Sequence, residues 1–135
     1  MWIKPRKSNL APAYGSAVGD STARLNKWAH IVSDVNSAST TPVKINQDAN
    51  IYVAEVTADN HVSFEIKLGR QAYLLDIENA TEISGGDQTL SLAQHDAAEI
   101  VGPITLHAHP KDPTKPVHLL IVEMEGVRGS GREDL

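Results

Sequence analysis

Three histidines stand near the C-terminal end in LHAHPKDPTKPVH: His107 and His109 are two residues apart, and His118 lies nine further on. Residues two apart in a strand project to one side, and imidazole is the commonest metal ligand, so the pattern could hold a catalytic metal. The simpler alternative is two histidines on a partly exposed strand that runs into a proline-rich loop. Parity separates the two. If the loop HPKDPTKPV closes a hairpin with His109 opposite Val117, then Ile104, Leu106, Ala108, Leu120, Val122 and Met124 make one apolar face. His118 joins that face close to the loop, while His107 and His109 fall on the other side beside Val117 and Leu119. Zinc- and iron-type sites need at least three ligands at one point. On this register the three imidazoles do not converge, and a divalent metal at His107 and His109 is the minor reading.

The remaining histidines are isolated. His30 lies in WAHIV, His61 opens an apolar run, and His95 precedes Asp96 in a turn-like segment. No G-x-S-x-G pattern marks a nucleophile, and Gly15 and Gly19 in YGSAVG are not preceded by a strand, so no phosphate-cradling loop is indicated.

The elements that would position any site are strands. From about residue 28 the chain reads WAHIVS, PVKIN, NIYVAEV, HVSFEI, QAYLLDI, ATEIS, QTLSL, AAEIV, PITLHAH and VHLLIVEME, rich in β-branched residues and alternating in several runs. No run of ten residues carries a helical period. In SGGD, at positions 84–87, Gly85-Gly86 as a two-residue loop predicts Ile83 opposite Gln88 and Thr81 opposite Leu90. Thr81, Ile83, Leu90 and Leu92 then share one face. About ten short strands suit a double-sheet jelly roll or a closed barrel.

Residues 1–25 hold prolines and glycines that interrupt every helical window and read as an extended arm, with Trp2, Ile3, Leu10 and Tyr14 as its anchor points. Residues 26–125 form the β-domain, and the Gly-rich, charged residues 126–135 read as a flexible tail.

A chain of 135 residues with 12 basic and 17 acidic side chains carries a net charge of -5, with no basic surplus for a nucleic-acid partner. The small basic cluster Lys4, Arg6 and Lys7 reads as a solvated arm. With no cysteine there is neither a disulfide framework nor a thiolate metal site. No apolar run approaches a membrane span and no apolar signal segment opens the chain. The expectation is a soluble, cytoplasmic, single-domain protein with no nucleic-acid or membrane partner.

The run GRQAYLLDIENATEISGGDQTLSLAQHDAAEIVG resembles a cupin barrel. Within that superfamily, MWIKPRKSNLAPAY is similar to the linker that enters the second half of pirin-like, quercetinase-type bicupins, and KINQDANIYVAEV to that half's first long strand. The resemblance implies an all-β cupin jelly roll with little helix. It also implies where metal ligands would stand. With Glu78-Asn79 matched to the family's Glu-Gly turn, the glutamate ligand position becomes Ala72, and two histidine positions become Lys67 and Glu65. The later histidine position falls at Leu106, with His107 one residue off. An ammonium, a methyl and an aliphatic chain cannot coordinate a metal.

The family reading therefore implies no cofactor and a structural or small-molecule-binding module. A lone half should expose an apolar surface, so a homodimer or a separate metal-carrying cupin is the expected partner. The alternative is an enzyme: a quercetin 2,3-dioxygenase-like oxygenase using a divalent metal such as iron, or a metal-independent isomerase. Its acid–base candidates are Glu65, Lys67, Arg70, Tyr73, Asp76, Glu99 and His118, the last two also as ligand-binding groups. Asp76, inside the apolar run AYLLDI, is the most pointed of these. Burial there would raise its pKa toward that of a general base, unless Arg70 or backbone donors satisfy it.

Overall fold

The computed structural model describes residues 1–126. Ten strands follow one another with no helix among the described residues: β1 (Ala29–Asp34), β2 (Val43–Ile45), β3 (Ala49–Val56), β4 (Val62–Ile66), β5 (Arg70–Glu78), β6 (Thr81–Gly85), β7 (Gln88–Leu92), β8 (Ala97–Val101), β9 (Ile104–Pro110) and β10 (Val117–Glu125). Each corresponds to one of the ten apolar runs. No element is a helix long and apolar enough to cross a membrane. The tail expected at 126–135 lies, beyond Gly126, outside the described residues.

Two sheets face each other, a six-stranded one in the order β2-β1-β3-β10-β5-β8 and a four-stranded one in the order β4-β9-β6-β7. From β3 onward the chain crosses between sheets at every connection except the β6–β7 hairpin. This is the jelly roll that the strand pattern predicts, although its two sheets do not close into a continuous barrel.

The crossing corrects the hairpin assumed for His109 and Val117. β9 pairs with β4 and β6 in the smaller sheet, whereas β10 pairs with β3 and β5 in the larger one. With no hairpin to couple their faces, each strand takes its own parity. β9 turns Leu106, Ala108 and Pro110 inward and leaves His107 and His109 exposed, as expected. β10 buries Val117, Leu119 and Ile121, all fully, so its inward face is the opposite of the predicted set of Leu120, Val122 and Met124. A strand with Val, Leu or Ile on both faces gives no parity signal of its own.

The SGGD hairpin needs a smaller correction. Gly86-Asp87 is the loop, with Gly85 opposite Gln88 and Ile83 opposite Leu90. Gly86 adopts φ +58°, the conformation a glycine-first two-residue turn requires. The two-residue shift preserves parity, so Thr81, Ile83 and Leu92 are buried as predicted, while Leu90 remains 53% exposed beside the turn.

The interior joins Ala54 and Val56 of β3, Val62 and Ile66 of β4, Ala72 and Leu74 of β5, Ile83, Leu92, Leu106 and Ala108, and the three inward residues of β10. One flank is closed by aromatics. Phe64 meets Trp28 edge-on at 5.7 Å and Tyr52 at 4.8 Å, joining the sheets where no strand does. At the next bend, a Cβ on Gly102 would lie 2.1 Å from the Lys67 carbonyl oxygen, so the backbones approach too closely for any other residue.

The arm is tied down by polar contacts rather than by its aromatics. Arg6 donates its backbone N–H to Asn46 and pairs with Asp34, Gln47 donates to the Lys4 carbonyl, and Arg24 and Asn26 bond to Glu55. Trp2 is 93% exposed and Tyr14 92%, so neither is an anchor, while Ile3 and Leu10 are partly buried.

Candidate functional site

The interior of the roll is where a cupin-type metal would sit, and the inward side chains decide whether it fits. On β4 these are Val62, Phe64 and Ile66, so Glu65 and Lys67 project outward and are exposed. On β5, Ala72 is 3% exposed, and on β9 Leu106 is 4% exposed; both face the interior. The turn used to align them is real, since Asn79 adopts φ +61°, a left-handed position that glycine fills easily, and its Nδ2 donates to the Pro116 carbonyl at 2.6 Å. Thus two of the four positions carry no donor atom and the other two face solvent. The donor set does not fit a metal there, and among the described residues no three His, Cys, Asp or Glu are grouped to hold one.

Asp76 is the ionisable group of that interior. It follows Ala72 and Leu74 on the inward face of β5, and its side chain is fully buried beside Thr81, equally buried. Neither carboxylate oxygen, nor the Thr81 hydroxyl, completes a hydrogen bond. Burial pushes the Asp76 carboxyl up to about 6, outweighing the opposite pull of the neighbouring Thr81 and Glu78 polar groups, which stop short of full hydrogen bonds. Its backbone is firmly held, accepting from His95 N–H at 2.7 Å and donating to Asp96 at 3.0 Å. Arg70 is not its partner, and none of the cavities described below is lined by it. A sealed carboxyl has the pKa of a general base without the access of one.

Arg70 instead builds a polar cap at the β5–β10 end of the interior. Its guanidinium donates to Asp48 through both terminal nitrogens, at 2.6 and 2.9 Å, and to Glu123 at 2.7 and 3.1 Å. Hydrogen bonds to Glu123 and Asp48 push the guanidinium above its ordinary value, and Arg70 in turn holds the Asp48 carboxyl below the usual range. Asn50 extends the network, donating to Glu123 at 2.8 Å and meeting His30 Nε2 at 2.9 Å, and His30 stacks on Tyr52 at 4.2 Å. Burial, reinforced by Glu123, raises the Tyr52 phenol. Every charge here has a partner, which marks a structural clamp.

The other predicted groups lie apart. Tyr73 pairs across to Glu99 on the outer face of the large sheet. His118, on the same outer face, sits between Glu55 at 3.2 Å and Glu78 at 3.6 Å. His107 and His109 are on the outer face of the small sheet, where His107 Nδ1 meets Ser63 Oγ at 2.8 Å and His109 faces Glu82 at 3.3 Å. The seven acid–base candidates therefore spread over two outer faces, one clamp and one sealed interior. Sequence reasoning missed the Asp48–Arg70–Glu123–Asn50 network and the Glu55–His118–Glu78 bridge. Both depend on β3, β10 and β5 being neighbours, for which no local spacing gives a signal.

Two of the cavities at the surface of the roll are lined mainly by apolar residues near the candidates above. A groove of about 700 Å³ runs over the outer face of the large sheet, between Met1, Trp2 and Ile3 of the arm and Tyr73, Leu75 and Val122 of the sheet. A smaller cleft of about 210 Å³ opens where β8 and β6 diverge, lined by Ile83, Ala98, Ile100, Ile104 and Leu106, with Glu99 at its rim.

Comparison with known proteins agrees with this architecture. Residues 30–124 match the family model described as the quercetinase C-terminal cupin domain. The crystal structure of YhhW from Escherichia coli superimposes with a TM-score of 0.74 at 17% identity, covering 93% of this chain and 49% of that one. The Schizosaccharomyces pombe Cnp3 cupin domain matches at 0.57 and 10% identity, over 80% and 70% of the respective chains. A cupin 2 domain-containing protein from Halorhodospira halophila matches at 0.54 and 13%, over 73% and 63%. A search of the curated proteins returns no match.

Proposed function

Because the chain belongs to the quercetinase C-terminal cupin domain family, we propose that it is a cupin roll without a metal of its own, acting as a structural module that pairs with a second copy. The filled interior carries this reading: Leu106, Ala72, Phe64 and Ile66 occupy with hydrocarbon the space in which metal-dependent cupin chemistry would need nitrogen and oxygen donors. Metal-dependent cleavage of a flavonol, the activity implied for metal-bearing relatives, has no grouped set of ligands among the described residues to perform it.

What the module offers is the outer face of the large sheet. Its groove of about 700 Å³ is mostly apolar, and the exposed indole of Trp2, one wall of that groove, stands next to it. A protruding aromatic beside an apolar slot on one face is self-complementary, as a two-fold interface requires, since each copy's indole can enter the other's groove. YhhW matches over only half of its length, which makes docking to a separate cupin the competing occupant.

Sedimentation equilibrium of the full chain is the test. The expected mass is twice 14.6 kDa, reverting to the monomer in Trp2→Ser and Val122→Glu. A monomer at high concentration would refute self-pairing and leave the separate cupin as the partner. The metal-free interior is checked independently. After incubation with iron and zinc salts and passage over a chelating resin, elemental analysis should find less than one equivalent; a full retained equivalent would refute it.

The cleft between β8 and β6 supports a second reading, a module for one small apolar molecule. Partition of an environment-sensitive apolar dye, and its loss in Ala98→Phe, tests that role.

A further inference from the structure

The outer face of the four-stranded sheet carries a histidine cleft for which pairing through the other sheet has no use. Continuing the β4–β9 register past Val62 and Ala108 sets His61 opposite His109 and diagonal to His107. All three imidazoles line one open cavity of about 480 Å³. Within it His61 and His107 are a close pair, with ring centroids 6.2 Å apart and planes tilted by 60°. Two imidazoles sharing one ion through nitrogens at about 2.1 Å bring their centroids to about 5.3 Å at a tetrahedral angle and to about 6.5 Å at most, so this pair stands at the wide end of the chelating range and reaches an ion by a small ring rotation.

The second ring nitrogen of His107 is also arranged as a metal ligand's would be. Nδ1 is hydrogen-bonded to Ser63 Oγ at 2.8 Å, and the hydroxyl can accept from Nδ1–H. That tautomer leaves the Nε2 lone pair free, the role that outer partners of metal-bound histidines perform. His109 is committed elsewhere. Its Nδ1–H donates to the Pro110 carbonyl at 2.9 Å and its Nε2 faces Glu82 across the neighbouring strand.

From this geometry we infer that His61 and His107 form a site for one divalent transition-metal ion of the zinc, nickel or copper class, with water completing the coordination. Imidazole suits these ions, and among them copper(II) binds most tightly. With two protein ligands the ion is exchangeable, so the site is one for reversible occupancy and not a structural centre.

Titration of the full chain with zinc and nickel chloride, read by calorimetry and by histidine ring-proton NMR, tests the site. Binding should saturate at one equivalent, with nickel broadening strongest at the His61 and His107 signals, weaker at neighbouring His109 and absent at His118. It should vanish in His61→Gln and in His107→Gln, weaken about tenfold in Ser63→Ala, and be unchanged in His118→Gln on the opposite sheet. Absence of saturable binding overturns the assignment, as does binding that survives either histidine substitution. The broadening experiment reads the wild-type chain, so its outcome does not depend on any variant folding.

Discussion

Replacing Asp76 by asparagine should stabilise the protein at neutral pH and cost it about 1 kcal/mol in mild acid. The folded carboxyl titrates at about 6 against an ordinary value of 3.8. Between about pH 4 and 6 the folded chain therefore holds a proton that the unfolded chain has released, and stability falls as pH rises through that window. The full difference corresponds to about 3 kcal/mol. Asparagine removes the ionised form, while its amide, also short of partners next to Thr81, gives back about 1 kcal/mol. The expected gain is about 2 kcal/mol at pH 7, a rise of roughly 5–8 °C in melting temperature for a domain of this size. Urea unfolding at pH 4, 5, 6 and 7, followed by the fluorescence of Trp28 packed against the core, measures it. The decisive quantity is the difference between variant and wild type, because other carboxyls cancel in it. A difference constant from pH 4 to 7 would mean that Asp76 ionises normally, refuting the claim that its carboxyl is sealed and unpartnered.

The acid side of the profile belongs to Asp48. Its carboxyl is held low by Arg70, so its contribution is present above the ordinary carboxylate pKa and is lost as pH falls below about 4; Asp48→Asn should flatten the acid limb there in the same unfolding series. Arg70→Met should lower stability by about 3 kcal/mol, because it leaves Glu123, 13% exposed, beside Asp48 without a cation; an unchanged urea midpoint would contradict the clamp. Gly102→Ala must displace the Lys67 carbonyl, which lies 2.1 Å from the new Cβ, and should cost about 3 kcal/mol, read as a fall in melting temperature. Asn79→Gly should be tolerated while Asn79→Ala costs about 1–2 kcal/mol, since only the former accepts φ +61° without strain.

Much of the fold was legible because its signals are local. Each strand announces itself by β-branched residues between turn formers, and in β4 and β9 strict alternation fixed the buried face without help from partners. β10 shows where this fails. VHLLIVEME has aliphatic residues on both faces, one packed in the interior and the other lining the outer groove, so the pattern alone could not say which was which. The assumed hairpin then supplied a wrong answer, because consecutive strands of a jelly roll usually lie in different sheets. Ligand positions were legible only through resemblance, and one-residue uncertainty in the count mattered little, since Phe64 and Ile66 on one parity and Glu65 and Lys67 on the other both fail to coordinate an inward ion.

The sealed carboxyl and the histidine cleft point to one physical account of the domain. In the interior, hydrocarbon fills the space in which a metal would need donors, and Asp76 with Thr81 is the buried polar pair that lowers stability at neutral pH. The interior can bear that cost because Arg70 closes its end with two carboxylates and the Trp28–Phe64–Tyr52 cluster closes its flank. Chemistry that requires access is thereby confined to the outer faces, where His61, His107 and His109 lie on the small sheet and the apolar groove on the large one. The polar side chains Tyr73 on β5 and Thr105, His107 and His109 on β9 point away from the interior, so that Asp76, with Thr81 of β6, is turned into it alone while Arg70 closes the other end.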